Sequence, residues 1–284
     1  MLNLRKWRAK INEWLDEDIM EGDLSTQGLF SEKDWERAWI QAKENGVVAG
    51  LELAKMVFQE VDPTCQVQLL VKDGSQVKRG DVLLEIEGSM QSLLAAERLA
   101  LNLLQRLSGI ATLTKQYVDQ VADLPVRIVD TRKTTPGLRG LEKYAVLMGG
   151  GHNHRFGLYD AAMIKDNHIK AAGSITNAVR TLRDRLPHTT KIEVEVESLE
   201  QVMEALEVQA DIIMLDNMNT ELMKKAVEMI GSRAIVEASG GVNLETVRSI
   251  ALTGVDVISV GALTHSVKAL DISMDLGKRK NIIE

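Results

Sequence analysis

Positively charged side chains are concentrated in one stretch of this 284-residue chain, between residues 127 and 170. The stretch holds eight Lys and Arg residues against four Asp and Glu residues, although the whole chain has a net charge of −7. Guanidinium groups bind carboxylate or phosphate through paired hydrogen bonds, and ammonium groups supply compact point charges. The stretch therefore indicates a site for a small polyanionic substrate, with a solvated basic surface as the alternative. Its cations are Arg127, Arg132, Lys133, Arg139, Lys143, Arg155, Lys165 and Lys170.

Carboxylates alternate with apolar residues along a predicted strand at Lys191–Val196. Successive side chains of a strand point to opposite faces, so the apolar set should face helices and the carboxylates should face the interior. An unpaired buried charge is costly, and we therefore expect Arg132, Lys133 and Lys165 to lie close to them. An edge strand with a solvated acidic face is the alternative. The apolar set is Ile192, Val194 and Val196, and the carboxylates are Glu193, Glu195 and Glu197.

Strands and helices alternate from Pro125 onward, which predicts parallel strands with right-handed crossovers. No GxGxxG motif follows the first strand, so a closed or nearly closed α/β barrel is favoured over a dinucleotide-binding sheet. The predicted strands are Val126–Asp130, Ala161–Lys165, Lys191–Val196, Asp211–Asp216, Ala234–Ala238 and Val255–Val260. The predicted helices include Ile175–Leu186, Leu199–Glu207, Thr220–Ile230 and Leu244–Leu252.

Polar or glycine-rich segments follow nearly every predicted strand, where barrel enzymes carry their active sites. Ser239-Gly240-Gly241 and Gly261-Ala262 close the last two units, and glycines there let backbone N–H groups approach an anion at a helix N-terminus. Glycines that serve only tight turns are the alternative. His152 and His154 could suggest a metal, but no carboxylate or cysteine spacing completes a familiar site, so we predict no protein-held metal.

The N-terminal half predicts short strands, a helix at Leu51–Gln59 and a long apolar helix at about Gln91–Val121, with Gly109 as its only candidate break. That long helix is apolar on most sides, so it is buried against its own domain alone or against a partner subunit as well. The Gly74–Gly80 segment resembles a lipoyl- or biotinyl-carrier hairpin, although no attachment lysine stands out. A tight turn in a small sheet is the simpler interpretation.

Composition excludes several classes of protein. Aromatic residues make up only 4% of the chain, and the net charge is negative, which argues against a nucleic-acid surface. Cys65 is the only cysteine, so an intrachain disulfide and a four-cysteine zinc site are excluded and a reducing compartment is expected. No signal peptide or membrane span is recognisable. We predict a cytoplasmic enzyme.

A series of motifs runs through the chain in a fixed order. They are Asp130–Arg139 (DTRKTTPGLR), Gly149–Arg155 (GGGHNHR), Leu158–His168, Glu193–Val196, Met214–Asn217, Ser239–Gly241 and Val260–His265. In residue types and order they resemble the quinolinate phosphoribosyltransferase family, and the resemblance covers the chain from about Asp18 to its end. It implies a decarboxylating pentosyltransferase of NAD biosynthesis, which joins quinolinate to phosphoribosyl pyrophosphate.

The same resemblance implies the fold and the assembly. An N-terminal α/β sandwich domain (1–112 with 270–284) accompanies an incomplete α/β barrel (113–269), and two subunits form a homodimer. The sandwich of one subunit lends an arginine to the active site of the other, and Arg98 matches that residue. Mg²⁺ enters with phosphoribosyl pyrophosphate.

The resemblance also implies roles for individual residues. Quinolinate carboxylates are bound by Arg132, His154, Arg155 and Lys165 together with Arg98, and phosphates are bound by Lys133 and Lys165, next to Thr131. Glu195 and Asp216 accept hydrogen bonds from the ribose hydroxyls, directly or through hydrated magnesium. The 5′-phosphate lies against Ser239, Gly240 and Gly241 and against Val260, Gly261 and Ala262. Lys165, Glu195, Asp216 and Lys133 are the predicted catalytic set.

Three other hypotheses remain open at this point. A molybdenum-utilisation paralogue would use a different ring substrate, and a barrel lyase or isomerase would use Lys165 as a Schiff-base nucleophile. A non-catalytic carrier or binding module would use the Gly74–Gly80 segment.

Overall fold

The computed structural model describes residues 3–31 and 33–277, and the chain divides into two compact units. The first unit contains the described residues of Met1–Leu113, Leu147–Gly150 and Val267–Glu284, and the second contains Thr114–Val146 and Gly151–Ser266. Of the tail that we predict in the sandwich domain, residues 278–284 lie outside the described residues. No helix among the described residues combines the length and apolar character needed to cross a bilayer.

The first unit is built around an antiparallel sheet of four strands. Its elements are α1 (Leu4–Ile19), α2 (Leu24–Leu29), β1 (Trp35–Ala42), β2 (Gly46–Val47), α3 (Leu51–Val61), β3 (Gln66–Leu69), β4 (Gln76–Val77), β5 (Val82–Ser89), most of α4 (Met90–Gln120) and β12 (Ile272–Leu276). The sheet order is β12-β1-β5-β3, so the C-terminal strand forms one edge of the sheet. The short strand β4 pairs with β2 in a separate two-stranded sheet, so the segment that resembles a carrier hairpin packs as a small sheet.

Helix α4 runs without interruption through Gly109, the position at which the sequence suggested a possible break in the helix. The reason for glycine is a close contact, because a Cβ atom at this position would lie 2.2 Å from the Lys268 carbonyl oxygen. Leu93, Leu104 and Leu107 of the same helix are fully buried. Gly109 therefore lets the 267–277 segment pack directly on the backbone of α4.

The second unit is a parallel α/β sheet. Its elements are β6 (Arg127–Val129), α5 (Arg139–Met148), β7 (Ala162–Ile164), α6 (Asp166–Ala172), α7 (Ile175–Arg185), β8 (Ile192–Val196), α8 (Leu199–Glu207), β9 (Ile212–Asp216), α9 (Thr220–Ile230), β10 (Ile235–Ser239), α10 (Val247–Ala251), β11 (Val257–Ser259) and α11 (Ala262–His265). The strand order is β6-β11-β10-β9-β8-β7. β6 and β7 are the two edge strands, and neither pairs with another strand among the described residues. The sheet therefore does not close there, and the predicted incomplete barrel is confirmed.

Helix α10 is shorter than the predicted helix Leu244–Leu252. The Asn243 side-chain oxygen accepts hydrogen bonds from the backbone N–H groups of Glu245 and Thr246, both at 2.9 Å. Such Asx turns compete with helical hydrogen bonding. The helix therefore begins three residues later, at Val247, and does not follow directly from the Ser239–Gly241 loop.

A buried ion pair joins the end of β6 to helix α5. Asp130 and Lys143 are both fully buried, and the Lys143 Nζ donates to Asp130 Oδ1. The same Nζ donates to the His154 carbonyl oxygen at 2.9 Å. Burial raises the pKa of Asp130 and lowers the pKa of Lys143, whereas their mutual attraction opposes both shifts.

Asp130 also fixes the backbone of the loop that follows α5. Its Oδ1 accepts a hydrogen bond from the His154 N–H at 2.9 Å, and its Oδ2 accepts one from Asn153 Nδ2 at 2.6 Å. Asn153 Nδ2 donates also to the Lys143 carbonyl oxygen at 2.9 Å. One carboxylate thus sets the course of residues 153–154.

We expect Lys143→Met to lower the free energy of unfolding by about 3–5 kcal/mol, because the substitution leaves the Asp130 charge buried without its cation. The double variant Asp130→Asn/Lys143→Met removes both charges and should recover part of that loss. Urea unfolding followed by circular dichroism measures both. A single variant that unfolds at the wild-type urea midpoint would show that the pair carries no such constraint.

Gly109→Ala should destabilise the protein, although Ala is favoured over Gly in helix interiors by about 1 kcal/mol. The added methyl group meets the Lys268 carbonyl, whereas Gly28 in α2 has no atom within 4 Å of the corresponding position. Gly28→Ala is therefore the matched control and should leave stability unchanged or raise it. Equal thermal midpoints for the two variants would refute the packing argument.

Candidate active site

A cavity of about 840 Å³ opens at the carboxyl ends of the strands of the second unit. Its lining comes entirely from that unit and combines cations, carboxylates, glycines and two methionines. The lining residues are Thr131, Arg132, Lys133, His154, Arg155, Met163, Lys165, Glu195, Met214, Asp216, Asn217, Ser239, Gly240, Gly241, Val242, Ser259, Gly261, Ala262 and His265.

Four of the eight cations between residues 127 and 170 line this cavity, and they are Arg132, Lys133, Arg155 and Lys165. The other four serve elsewhere. Lys143 is buried against Asp130, and Lys170 pairs with Asp166 on the surface of α6. Arg139 donates to the Phe156 carbonyl oxygen at 3.0 Å, and exposed Arg127 begins β6. The local charge excess thus contains a smaller group of cations that face one space.

The backbones of the two cavity lysines are held by neighbouring side chains. The Lys133 N–H donates to Thr131 Oγ1 at 3.1 Å, and the Lys133 carbonyl accepts from Thr264 Oγ1 at 2.7 Å. The Lys165 N–H donates to His168 Nδ1 at 3.0 Å. These contacts fix the loop after β6 and the start of α6, so both ammonium groups extend from constrained positions.

The three carboxylates of the β8 region lie in different environments. Glu195 lines the cavity and forms an ion pair with Lys165, as predicted. Glu193 is 1% exposed, below the cavity surface. Glu197 is exposed and lies beyond the end of β8 at Val196. The prediction that all three face the interior is therefore wrong for Glu197.

Glu193 pairs with His154 and not with Arg132 or Lys133, the partners that the sequence suggested. His154 Nε2 lies 3.3 Å from Glu193 Oε2 and 3.5 Å from Glu237 Oε1. Glu237 is also buried, and the sequence analysis did not assign it to the site. A single acid inside the apolar run of β10 was the only signal for it.

The ring of His154 is engaged at both nitrogens. Its Nδ1 accepts a hydrogen bond from the Arg155 backbone N–H at 2.7 Å. Burial lowers the pKa of the imidazole, while Glu193 and Glu237 outweigh burial and raise it. The Arg155 N–H nevertheless occupies the place of a second ring proton, and we therefore assign one proton, at Nε2.

The donor atoms of His154, Glu193 and Glu237 lie within 4.8 Å of one another, which is a spacing that a metal ion could use. The structure thus supplies the carboxylates that the sequence spacing around His152 and His154 did not reveal, while His152 is exposed and outside the group. A metal-bound imidazole normally donates its other N–H. Here Nδ1 accepts, so the geometry favours a hydrogen-bonded cluster.

Asp216 and the glycine loops border the opposite part of the cavity lining. Asn217 Nδ2 donates to Asp216 Oδ2 at 2.7 Å, and the Asn217 N–H donates to the Ser239 carbonyl at 3.0 Å. A Cβ at Gly240 would lie 2.2 Å from Asn217 Oδ1, and the φ of Gly240 is +91°. Glycine is required there for both reasons.

Two predicted binding residues lie outside this lining. Val260 is buried, and its N–H donates to the Val129 carbonyl oxygen at 2.9 Å. Arg98 is an exposed residue of α4 in the first unit. Conversely, six lining residues were not assigned from the sequence, and they are Met163, Met214, Asn217, Val242, Ser259 and His265. Their proximity to the strand ends was the available signal.

Comparisons with known proteins agree with one another. Residues 23–108 match the model of the quinolinate phosphoribosyl transferase N-terminal domain, and residues 110–275 match that of the C-terminal domain. The chain is 52% identical over 269 residues to a probable nicotinate-nucleotide pyrophosphorylase (carboxylating) of Synechocystis sp., which covers 94% of this chain and 91% of the relative. A similarly named protein of Bacillus subtilis is 47% identical over 283 residues, covering 100% and 98%.

The solved structures extend this similarity to the fold. The crystal structure of NadC from Streptococcus pyogenes superposes with a TM-score of 0.95 at 44% identity and covers 98% of both chains. A nicotinate-nucleotide pyrophosphorylase from Francisella tularensis gives a TM-score of 0.94 at 38% identity, again covering 98% of both. The chain belongs to the quinolinate phosphoribosyl transferase family.

Proposed function

We propose that this protein is a quinolinate phosphoribosyltransferase, which converts quinolinate and phosphoribosyl pyrophosphate to nicotinate mononucleotide, pyrophosphate and carbon dioxide. The observation that carries the proposal is the cavity of the second unit, where four cations face two carboxylates and two glycine loops. Relatives that match nearly the whole chain are named for this reaction. The enzyme would act in NAD biosynthesis, and its single buried free cysteine suits the reducing cytoplasm.

Arg132, Arg155 and Lys165 would bind the two quinolinate carboxylates. Arginine presents paired N–H donors that match a carboxylate. The Arg155 Nη1 donates to the Ala161 carbonyl oxygen at 2.7 Å, which anchors one side of its guanidinium group. His154 borders the same region, but both of its ring nitrogens already have partners within the protein.

Phosphate groups would lie against Lys133 and the glycine loops. A Cβ at Gly261 would lie 3.1 Å from Lys133 Cδ, so the lysine stem passes directly over the backbone of this loop. Small residues at Ser239, Gly240, Gly241 and Ala262 leave the rest of that surface open. Lys165 lies within the same cavity and is 45% exposed at its side chain.

Glu195 and Asp216 would accept hydrogen bonds from the ribose hydroxyls, directly or through water around a magnesium ion. Mg²⁺ retains several of its waters and is commonly bound together with substrate phosphates. The oxygen-rich lining at Asp216 and Asn217 suits a hydrated cation of this kind. The ion would enter with phosphoribosyl pyrophosphate as part of the substrate and would offset the charge of the leaving pyrophosphate.

The reaction would proceed by displacement at the anomeric carbon. The quinolinate ring nitrogen forms a bond to this carbon as the bond to pyrophosphate breaks, and positive charge builds on the ribose. The carboxylates of Glu195 and Asp216 stabilise that charge. The alkylated ring is cationic. The bond between the neighbouring ring carbon and its carboxylate then breaks, carbon dioxide leaves, and the electron pair stays on that ring carbon, where the adjacent cationic nitrogen stabilises it until a proton from water bonds to the carbon.

The active enzyme would be a homodimer in which Arg98 of the partner subunit completes the quinolinate site. Arg98 is exposed on α4, beside half-buried Glu97 and Leu99. Its side chain is therefore available to a second molecule. This proposal comes from the family resemblance together with that exposure.

The function is tested by release of labelled carbon dioxide from carboxyl-labelled quinolinate. Release should require the protein, phosphoribosyl pyrophosphate and magnesium, with nicotinate mononucleotide as product. Lys165→Ala should lower kcat/KM by roughly 100- to 1,000-fold, since it removes a cation that would bind a quinolinate carboxylate and offset negative charge on the phosphates. Lys170→Ala is the matched control because Lys170 is exposed and paired with Asp166.

Two outcomes would contradict the assignment. Wild-type protein that releases pyrophosphate only with another ring acid would have a paralogue's specificity. A Lys165→Ala enzyme with the wild-type rate would remove this lysine from the mechanism.

Mixing two inactive variants tests the contribution of Arg98. Arg98→Ala and Lys165→Ala subunits should each be nearly inactive, whereas a mixed dimer has one site that receives both native side chains. Random exchange at equal concentrations should restore about one quarter of the wild-type activity. If Arg98 acted within its own subunit, every site in the mixed dimer would lack one side chain, and the mixture would stay inactive.

A further inference from the structure

Two buried glutamates lie behind the cavity surface, and the reaction proposed above gives them no role. Glu193 on β8 is 1% exposed and Glu237 on β10 is 3% exposed. Both approach the same atom, His154 Nε2, at 3.3 and 3.5 Å. His154 itself lines the cavity, so the glutamates are one side chain removed from the substrate site.

Stability does not account for this cluster. Two like charges in a buried site repel one another, and burial together with Glu237 raises the pKa of Glu193. Glu193 Oε1 and Glu237 Oε1 have no hydrogen-bond partner among the described residues. Well-packed apolar residues in such positions are commonly as stable as the ionic group or more so. The cluster therefore calls for a functional explanation.

The connections of His154 indicate what the cluster does. Its Nε2–H points to the glutamates, and its Nδ1 receives the backbone N–H of Arg155 at 2.7 Å. The imidazole thus links the buried glutamates to the start of the arginine that faces the substrate. Carboxylate partners of this kind fix both the tautomer and the ring orientation of a histidine.

Arg155 needs such support. Its Nη1 donates to the Ala161 carbonyl, and among the described residues its Nη2 donates to the Met163 sulfur alone, at 3.5 Å. Its buried Nε has no hydrogen-bond partner among the described residues. Burial lowers the pKa of Arg155 and so does Arg132 nearby, while the charge of Glu193 opposes them.

We propose that Glu193 and Glu237 are positioning residues for the ring-acid subsite, where their carboxylate oxygens face the His154 Nε2–H, orient the imidazole and thereby hold Arg155 in place for a substrate carboxylate. The proposal rests on the proposed function and adds residues that never touch the substrate. It predicts that loss of the acceptors impairs quinolinate binding specifically and leaves phosphoribosyl pyrophosphate binding unchanged.

The test compares Glu193→Leu with Glu193→Gln. Leucine fills the volume without an acceptor, whereas glutamine keeps an oxygen for the His154 Nε2–H. We expect Glu193→Leu to raise the KM of quinolinate by about tenfold or more, because losses of this size are common when a group that orients a reactant is misplaced. The KM of phosphoribosyl pyrophosphate should stay nearly unchanged. Glu193→Gln should restore most of the loss. The exposed Glu197→Gln is the matched control and should match the wild type.

A second pair, Glu237→Leu and Glu237→Gln, repeats the comparison if Glu193→Leu fails to fold. A double-mutant cycle with His154→Ala then decides whether the glutamate acts through the imidazole. In the His154→Ala background, the Glu→Leu change should add little to the KM of quinolinate, because the connection is already broken. Effects that multiply would overturn the proposal, as would equal increases in KM for both substrates.

Two direct measurements complete the test. Calorimetry measures quinolinate binding without turnover. A wild-type protein that binds quinolinate but releases no carbon dioxide would therefore refute the proposed function and leave the positioning role untouched. A folded Glu193→Leu protein with wild-type affinity would sink the positioning role alone. Elemental analysis should find no bound transition metal. One equivalent of metal that is lost in Glu193→Gln would identify the cluster as a metal site and overturn the proposal.

Discussion

The ion pair between Asp130 and Lys143 is the constraint on which the geometry of the site depends. Asp130 ends β6, and its carboxylate also accepts hydrogen bonds from the Asn153 side chain and the His154 backbone. Because Lys143 in turn binds the His154 carbonyl, one salt bridge determines where the loop returns to the sheet. His154 and Arg155 then project into the cavity. Burying two charges is costly. In return, the ion pair fixes a loop beside the open edge of the barrel, where no neighbouring strand would hold the loop by regular sheet hydrogen bonds.

The open barrel explains why side chains perform this work. β6 is an edge strand, and on its open side the described part of the chain contributes only an isolated bridge between Val129 and His152. A full strand would have fixed residues 152–155 by a regular ladder and would have directed alternate side chains into the interior. Here the backbone can turn, so two consecutive residues, His154 and Arg155, both line the cavity. The glycine loops after β10 and β11 complete the lining from strands whose register is regular.

Much of this could be predicted from the sequence, because regular patterns have regular consequences. The alternation of strands and helices after residue 125 gave the parallel sheet, and the strand-end rule located most of the cavity lining. Pairings across the sheet could not be predicted in the same way. Nothing local distinguishes Lys143, which is buried, from Lys133, which faces the cavity, since each lies among polar and apolar neighbours. Glu237 belongs to no periodic pattern in the sequence. Gly109 suggested a helix break, because its actual role, a close contact with the backbone at Lys268, is a long-range contact that the local sequence does not reveal.

Charge is arranged so that an acidic protein can hold a polyanion. Three of the four cations between residues 127 and 170 that lie outside the cavity have partners of their own. Lys143 pairs with Asp130, Lys170 pairs with Asp166, and Arg139 donates to a backbone carbonyl. Within the cavity, Lys165 has Glu195 as its partner, and an incoming carboxylate or phosphate can compete for that ammonium group. Arg132 and Lys133 form no ion pair with any of the described residues. They lie in a loop that hydrogen bonds from Thr131 and Thr264 hold in place. Substrate can therefore displace Glu195 from Lys165, whereas it can bind Arg132 and Lys133 without breaking an ion pair. Nicotinate mononucleotide carries fewer negative charges than the two substrates, so its release separates fewer opposite charges than their binding brings together.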